Sequence, residues 1–172
     1  METTDQIPPS MPFFAFPRPK TPGAAPKPDL PTNLPRRLGP MEITYEWRGA
    51  FGNPEVNALH AEAFEHPVLE DDDWWGQVNK HSLGWVCARQ GHDLVGFVNV
   101  AWDGAAHAFI LDTMVTTTAG RRGIGTRLVE LTVPEVRAAG CEWLHVDFDD
   151  HLRSFYFDAC GFEPTNAGLI AL

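Results

Sequence analysis

Apolar and polar residues alternate along Met41–Trp47 as a half-buried strand requires. Over Pro54–Phe64 the spacing changes, with Val56, Leu59 and Phe64 on one side of a helix, and Asp71–Asn79 reads as a shorter acidic helix carrying Trp74 and Trp75. Period-two strands return over Gly84–Arg89 and Leu94–Trp102, joined around Gln90-Gly91-His92-Asp93. Asp103-Gly104 is a hairpin signal that leads into a strand at Ala108–Val115. A helix from about Ile124 to Ala139 follows, closed by Gly140, with Pro134 inside it expected to kink or split it. Glu142–Phe148 reads as a strand, Leu152–Cys160 as a short helix, and a last strand is expected near Gly168–Leu172. The order β-α-α-β-β-β-α-β-α-β predicts a mixed α/β fold, a central mixed sheet with helices on both faces.

Ahead of this pattern the chain changes character. Eleven of the fifteen prolines fall in residues 1–40, which denies that stretch helix or sheet and predicts a disordered Pro-rich N-terminal extension. Residues 41–172 are then one folded domain. No apolar run is long enough to span a bilayer and no secretory signal is visible, so no membrane partner and a cytoplasmic location are expected. Cys87, Cys141 and Cys160 are an odd, widely spaced set in apolar surroundings, which reads as buried reduced thiols and not as a disulfide frame or a metal site. Residues 1–40 carry a net charge of +2 and the remainder −12. So acidic a body repels nucleic acid and suits a cationic small substrate.

The segment Val115-Thr-Thr-Thr-Ala-Gly-Arg-Arg-Gly-Ile-Gly-Thr-Arg-Leu-Val129 joins the third antiparallel strand to the long helix. Gly123 and Gly125 let successive backbone N–H groups point into one concavity, and the helix adds the positive end of its dipole. This is a cradle for a phosphate-bearing ligand. A dinucleotide site is the first alternative, with Asp147 as the distant acid, but Leu128 stands at the third glycine position and the turn comes seven residues after the strand. A Walker loop fails for want of Gly-Lys-Ser/Thr.

The chain at this point resembles the GCN5-related N-acetyltransferase (GNAT) family of acetyl-CoA-dependent transferases. Residues 41–172 fit its order of elements. Arg121-Arg-Gly-Ile-Gly-Thr126 is similar to its pyrophosphate loop, with Gly120 where Gln or Arg is usual, and Phe155-Tyr156…Cys160-Gly161-Phe162 is similar to its C-terminal signature. The resemblance implies a GNAT-type fold with acetyl-CoA as co-substrate and no metal. The pyrophosphate would lie on the N–H groups of Arg122, Gly123, Ile124, Gly125 and Thr126, with Arg121 supplying charge. The pantetheine arm would run along Met114 and Val115, where the fourth and fifth strands splay apart, and a backbone N–H near Met114 would hold the oxyanion.

Tyr156 is the implied acid for the departing thiolate. Gly161 follows it by five residues where the family has four, so either the helix carries an extra residue or Phe157 occupies the slot. Asp112, expected to share an apolar strand face with Ile110 and Met114, is the first candidate base, because burial raises a carboxylate's pKa. Asp147 is the second. Asp149 and Asp150 read as caps of the following helix. Glu70, Asp73 and Trp74 on the early helices, with Asn99 and His107 from neighbouring strands, are candidate substrate contacts. The expected function is acetyl transfer to a primary amine of a small molecule. The alternatives are an acyl-CoA-binding regulatory module without turnover and a protein or peptide N-acetyltransferase. The sequence leaves room for a homodimer.

Overall fold

The computed structural model describes residues 42–171. The expected N-terminal extension, residues 1–40, lies outside that range. Five strands form one sheet in the order β1-β2-β3-β4-β5: β1 (Ile43–Trp47), β2 (Ser82–Gln90), β3 (Asp93–Trp102), β4 (His107–Val115) and β5 (Trp143–Val146). The first four run antiparallel to their neighbours, and β5 is parallel to β4.

The strand periodicity sorts apolar side chains into two cores. α3 (Ile124–Ala138) covers one face, packing Ile124, Leu128 and Val136 against Val86, Val98, Val100 and Ile110. α1 (Asn53–Ala63) and α2 (Trp74–His81) cover the other, bringing Val56, Leu59, Trp74 and Val78 onto Trp85, Phe97 and Met114. Helices on both faces of a mixed sheet are the layering that the alternation predicts.

Three local expectations need correction. Pro134 does not split α3, which runs unbroken from Ile124 to Ala138; only the one bond a proline N–H would have donated is missing. Residues 152–160 are not an ordinary helix but a 3₁₀ turn (Asp150–Leu152) followed by a π-helix (Ser154–Ala159). Residues 168–171 form no strand, and Leu169 and Ile170 are 82% and 88% exposed. An apolar run lacking a pairing partner has nowhere to place its backbone donors in a sheet. All three cysteines are free; Cys87 and Cys141 are buried, whereas Cys160 is half-buried. Among the described residues no helix is long and apolar enough to cross a membrane.

Candidate active site

The site begins where β4 leaves the sheet. A 3₁₀ turn at Thr117–Ala119 is tied to α1, for Glu62 Oε1 accepts from the Thr117 N–H at 2.7 Å and from its hydroxyl at 2.6 Å. Those bonds hold the Glu62 carboxyl below its usual range. Arg121 (φ 57) and Gly123 (φ 74) then both take the left-handed conformation and reverse the chain. The first helix-closing bond of α3 runs from the Arg127 N–H to the Gly123 carbonyl at 3.0 Å, so the N–H groups of Ile124, Gly125 and Thr126 stand free at the positive end of the dipole. A Cβ on Gly125 would sit 3.2 Å from the Phe155 ring, so glycine there lets the π-helix close against the loop. Arg121 and Arg122 are exposed, and the charges of Arg127 and Arg122 partly offset the rise that burial gives the Tyr45 phenol.

Beside the loop, the sheet opens. The last pair between β4 and β5 is Ile110 with Val146, and beyond it β4 continues to Val115 paired with β3 alone. In that stretch lies a β-bulge: Leu111 opposes Asn99 and Met114 opposes Phe97, leaving Asp112 and Thr113 against Val98. Asp112 takes φ 53 to accommodate the extra residue. The bulge inverts the side-chain alternation, so Ile110 enters the core under α3 while Met114 enters the core under α1 and α2. Asp112 and Met114 therefore do not share a face with Ile110, contrary to the uninterrupted strand expected from the sequence.

Asp112 sits in a chain of polar side chains on the α1/α2 face. Asn99, 2% exposed, accepts from the Ser82 hydroxyl at 2.6 Å through Oδ1, which turns its amide N–H toward Asp112 Oδ2 at a long 3.4 Å. Burial pushes the Asp112 carboxyl upward, and Asn99 and His60 only partly oppose it. His60, on α1, is the residue that sequence reasoning missed. Its Nδ1 lies 2.6 Å from His66 Nε2, and its ring packs 5.1 Å from Trp74. Burial lowers the His60 pKa, against the raising influence of Asp112 and Asp72. The available signal was its place four residues after Val56, on the inward stripe of α1.

Tyr156 reaches the bulge from elsewhere. The π-helix bonds the Cys160 N–H to the Phe155 carbonyl at 2.9 Å, five residues back, and so absorbs the extra residue between Tyr156 and Gly161. Tyr156 consequently points inward at 6% exposure, stacked 4.7 Å from Phe148 and edge-on to Phe155 and Phe162. Phe157 instead lies half-buried under the Arg153 guanidinium. Burial raises the Tyr156 phenol, while Thr113, the second bulge residue, pulls it down. Thr113 is thus its neighbour, although the Thr113 hydroxyl is buried without a well-formed hydrogen bond.

The remaining candidates scatter. Asp73 caps α2, accepting from the Gly76 N–H and from Asn53 Nδ2, both at 3.0 Å. Trp74 is buried and donates its indole N–H to Asn57 Oδ1 at 2.7 Å, which makes it core. Glu70 is exposed in the segment before α2, and Asp147 is exposed directly after β5. Asp149 precedes the 3₁₀ turn, but its side chain makes no capping bond. His107 stands at the far end of β4 from the bulge, 2.8 Å from His145. A depression of about 270 Å³ lies away from the bulge, lined by Glu55, Leu59, Glu62, Asp93, Leu94 and Thr116; Glu55 is committed to Arg89 and Glu62 to Thr117. Among the described residues no group of three or more ligating side chains could hold a metal.

Comparison with known proteins shows the family and the fold. The family model described as the acetyltransferase (GNAT) family matches residues 43–162. Among solved structures, a probable acetyltransferase from meticillin-resistant Staphylococcus aureus superposes with a TM-score of 0.65 at 18% identity, covering 76% of this chain and 98% of that one. A GNAT family protein from Streptococcus pneumoniae TIGR4 gives 0.62 at 20% identity over 76% and 98% of the two chains. AAC(6')-Iy in complex with the bisubstrate analogue CoA-S-monomethyl-acetylneamine gives 0.60 at 16% identity over 76% and 97%. No curated protein matches the chain.

Proposed function

Because this chain belongs to the GNAT acetyltransferase family, we propose that it transfers an acetyl group from acetyl-CoA to a primary amine of a small molecule. One observation carries the reading: a half-buried carboxylate and a buried phenol both reach the β4 bulge, just beyond the last β4–β5 pair. The free N–H groups at the start of α3 supply donors for a pyrophosphate, and the glycine at 125 lets Phe155 close beside them. An added pantetheine strand fits the edge that β5 leaves open along Met114 and Val115. The structural neighbour bound to a CoA–acetylneamine analogue supports an amine acceptor of that general kind. The free thiols suit a reducing cytoplasm.

In this mechanism the raised Asp112 carboxylate takes a proton from the substrate ammonium, whose pKa is about 10. The free amine attacks the thioester carbonyl, forming the C–N bond, and a backbone N–H near Met114 holds the oxyanion. Collapse breaks the C–S bond. Tyr156, kept protonated by burial, delivers a proton to the departing thiolate, and the second proton lost by the acylated nitrogen restores the phenol. The net products are the N-acetyl amine, CoA and one proton.

The test is release of the CoA thiol across a panel of small amines, with the product identified by mass spectrometry. Amine-dependent release accompanied by an N-acetylated product is expected. Release that never depends on the amine, or none at all, would sink the proposal.

A further inference from the structure

Ser82, Asn99 and Asp112 come from three successive strands, and the two outer residues meet Asn99 only through irregularities in the sheet. Asn99 stands two residues from Phe97 on β3, on the face that α1 and α2 cover. Regular pairing would set Ser82 opposite Trp102 and turn it toward α3, as it does Val86. Instead the β2–β3 register slips: Ser82 opposes Ala101 and Gly84 opposes Val100, with Leu83 left over. That slip turns Ser82 to the α1/α2 face, where its hydroxyl meets Asn99 Oδ1 at 2.6 Å. Arg48 pins the surplus residue, donating from Nε to the Leu83 carbonyl at 3.1 Å. On the other flank of β3 the β4 bulge does the same for Asp112, whose Oδ2 lies 3.4 Å from Asn99 Nδ2. Two separate bulges, one in each neighbouring strand, thus bring a side chain to the same amide.

The groups themselves set the direction of this chain. An ionised carboxylate only accepts, so the amide must turn its N–H to Asp112 and its oxygen to Ser82. The Ser82 hydroxyl then has to donate. Ser82 and Asn99 are 8% and 2% exposed, so a polar atom that loses its partner there is left unsatisfied. Without the Ser82 hydroxyl, the amide oxygen would be orphaned for as long as Asp112 stayed ionised. A protonated Asp112 can instead donate to that oxygen once the amide turns over. Losing the hydroxyl therefore favours the protonated acid. The titratable groups around Asp112 are His60 on α1 and, reached through Thr113, Tyr156 of the π-helix. Burial raises the Asp112 carboxyl, and Asn99 opposes that rise, followed by His60.

We propose that Ser82 is a positioning residue for proton abstraction: through Asn99 it keeps Asp112 in the ionised form that can accept a proton, and the β2 bulge is what aims it. A half-buried base meets two demands. It needs affinity for the proton, which burial supplies, and it must be unprotonated when the ammonium arrives, which the string of donors supplies. This inference rests on the amine-acetylation reading above.

A carbon-13 titration of the Asp112 carboxyl in the unliganded full chain reads the effect without any substrate. Ser82→Ala should move that titration to higher pH, and Ser82→Thr, which keeps the hydroxyl, should hold it near the wild-type position. Asn99→Ala should move it in the same direction. Adding Ser82→Ala to Asn99→Ala should move it no further, because the hydroxyl acts only through the amide. An unmoved titration in Ser82→Ala, or an added shift in the double variant, would overturn the proposal. In steady-state kinetics, Ser82→Ala should carry the acid limb of kcat/KM to higher pH. The loss should be roughly tenfold below that limb and shrink as the pH rises, with little change in KM for acetyl-CoA. A loss of equal size at every pH would mark a merely structural effect and equally count against it. A shifted Asp112 titration in a protein that transfers no acetyl group would refute amine acetylation while the chain of donors stood. An unmoved titration in an active enzyme would do the reverse.

Discussion

Asp112 concentrates more physical conflict than any other described residue: a charged side chain, half-buried, on a left-handed backbone, in the middle of a strand. Its charge in an apolar run was legible from the sequence, but its face was not. A bulge inserts one residue without any compositional mark, and the period-two rule then assigns every later side chain to the wrong side. His60 was illegible for a different reason. Its place beside His66 and Trp74 arises only once the chain folds back after α1 and α2 packs beside it. Asp73 and Trp74 misled in the opposite direction. The Asp-x-x-Gly cap and an indole bonded to Asn57 serve the scaffold, and their residue types alone cannot be told from recognition chemistry. The raised pKa of Asp112 also has a consequence for stability. A carboxyl raised above its unfolded value favours the folded state fully only below the unfolded pKa, and that contribution is lost as pH rises through the folded pKa. Asp112→Asn should therefore raise the melting temperature at pH 7, with the gain shrinking as the pH falls toward 4, while acetyl transfer drops. Thermal melts at the two pH values check this; an equal shift at both would show that charge is not the cause.

At the scale of elements, the order of strands and helices up to β5 was readable because long periodic segments announce themselves. The turn between β4 and α3 was readable because glycine at positive φ is a local requirement, met here at Gly123. The π-helix was only half readable. The count from Tyr156 to Gly161 implied a surplus residue, but nothing local said whether the helix or the site would yield. The structure places the surplus in the helix, as a wide turn, and keeps Tyr156 inside. Tyr156→Phe should accordingly reduce kcat on the order of 10²-fold with KM for acetyl-CoA nearly unchanged. Phe157→Leu, at the half-buried neighbour, should leave kcat within about twofold, since surface-side changes of this kind perturb little. A larger loss in the Phe157 variant than in the Tyr156 variant would reverse the assignment. The last expected strand failed because its residues have propensity for a sheet but no partner edge, and β propensity is mostly a statement about neighbours.

For the whole molecule the governing quantity is charge. The full chain carries −10 and the part beyond residue 40 carries −12, so a cationic amine approaches a field of opposite sign. Ions screen such attraction over about 10 Å at 0.1 M salt. KM for a cationic amine should rise severalfold between low and high ionic strength, with kcat steady; steady-state kinetics in increasing sodium chloride measure it. An unchanged KM would mean that encounter owes nothing to the acidic body. The composition made that field visible from the outset, but which carboxylates have structural duties was not: Glu55, Glu62 and Asp73 are held by Arg89, Thr117 and the α2 cap.

The backbone at position 112 carries one more implication, for heredity rather than chemistry. Few residues tolerate a left-handed conformation: glycine, asparagine and aspartate do so most readily. Aspartate alone among them bears a charge. Glutamate, the obvious acidic substitute, would bring a longer side chain to a backbone shape it disfavours. The bulge therefore makes aspartate the carboxylate held here at least strain, so that a change of residue loses the carboxylate more readily than it reshapes it.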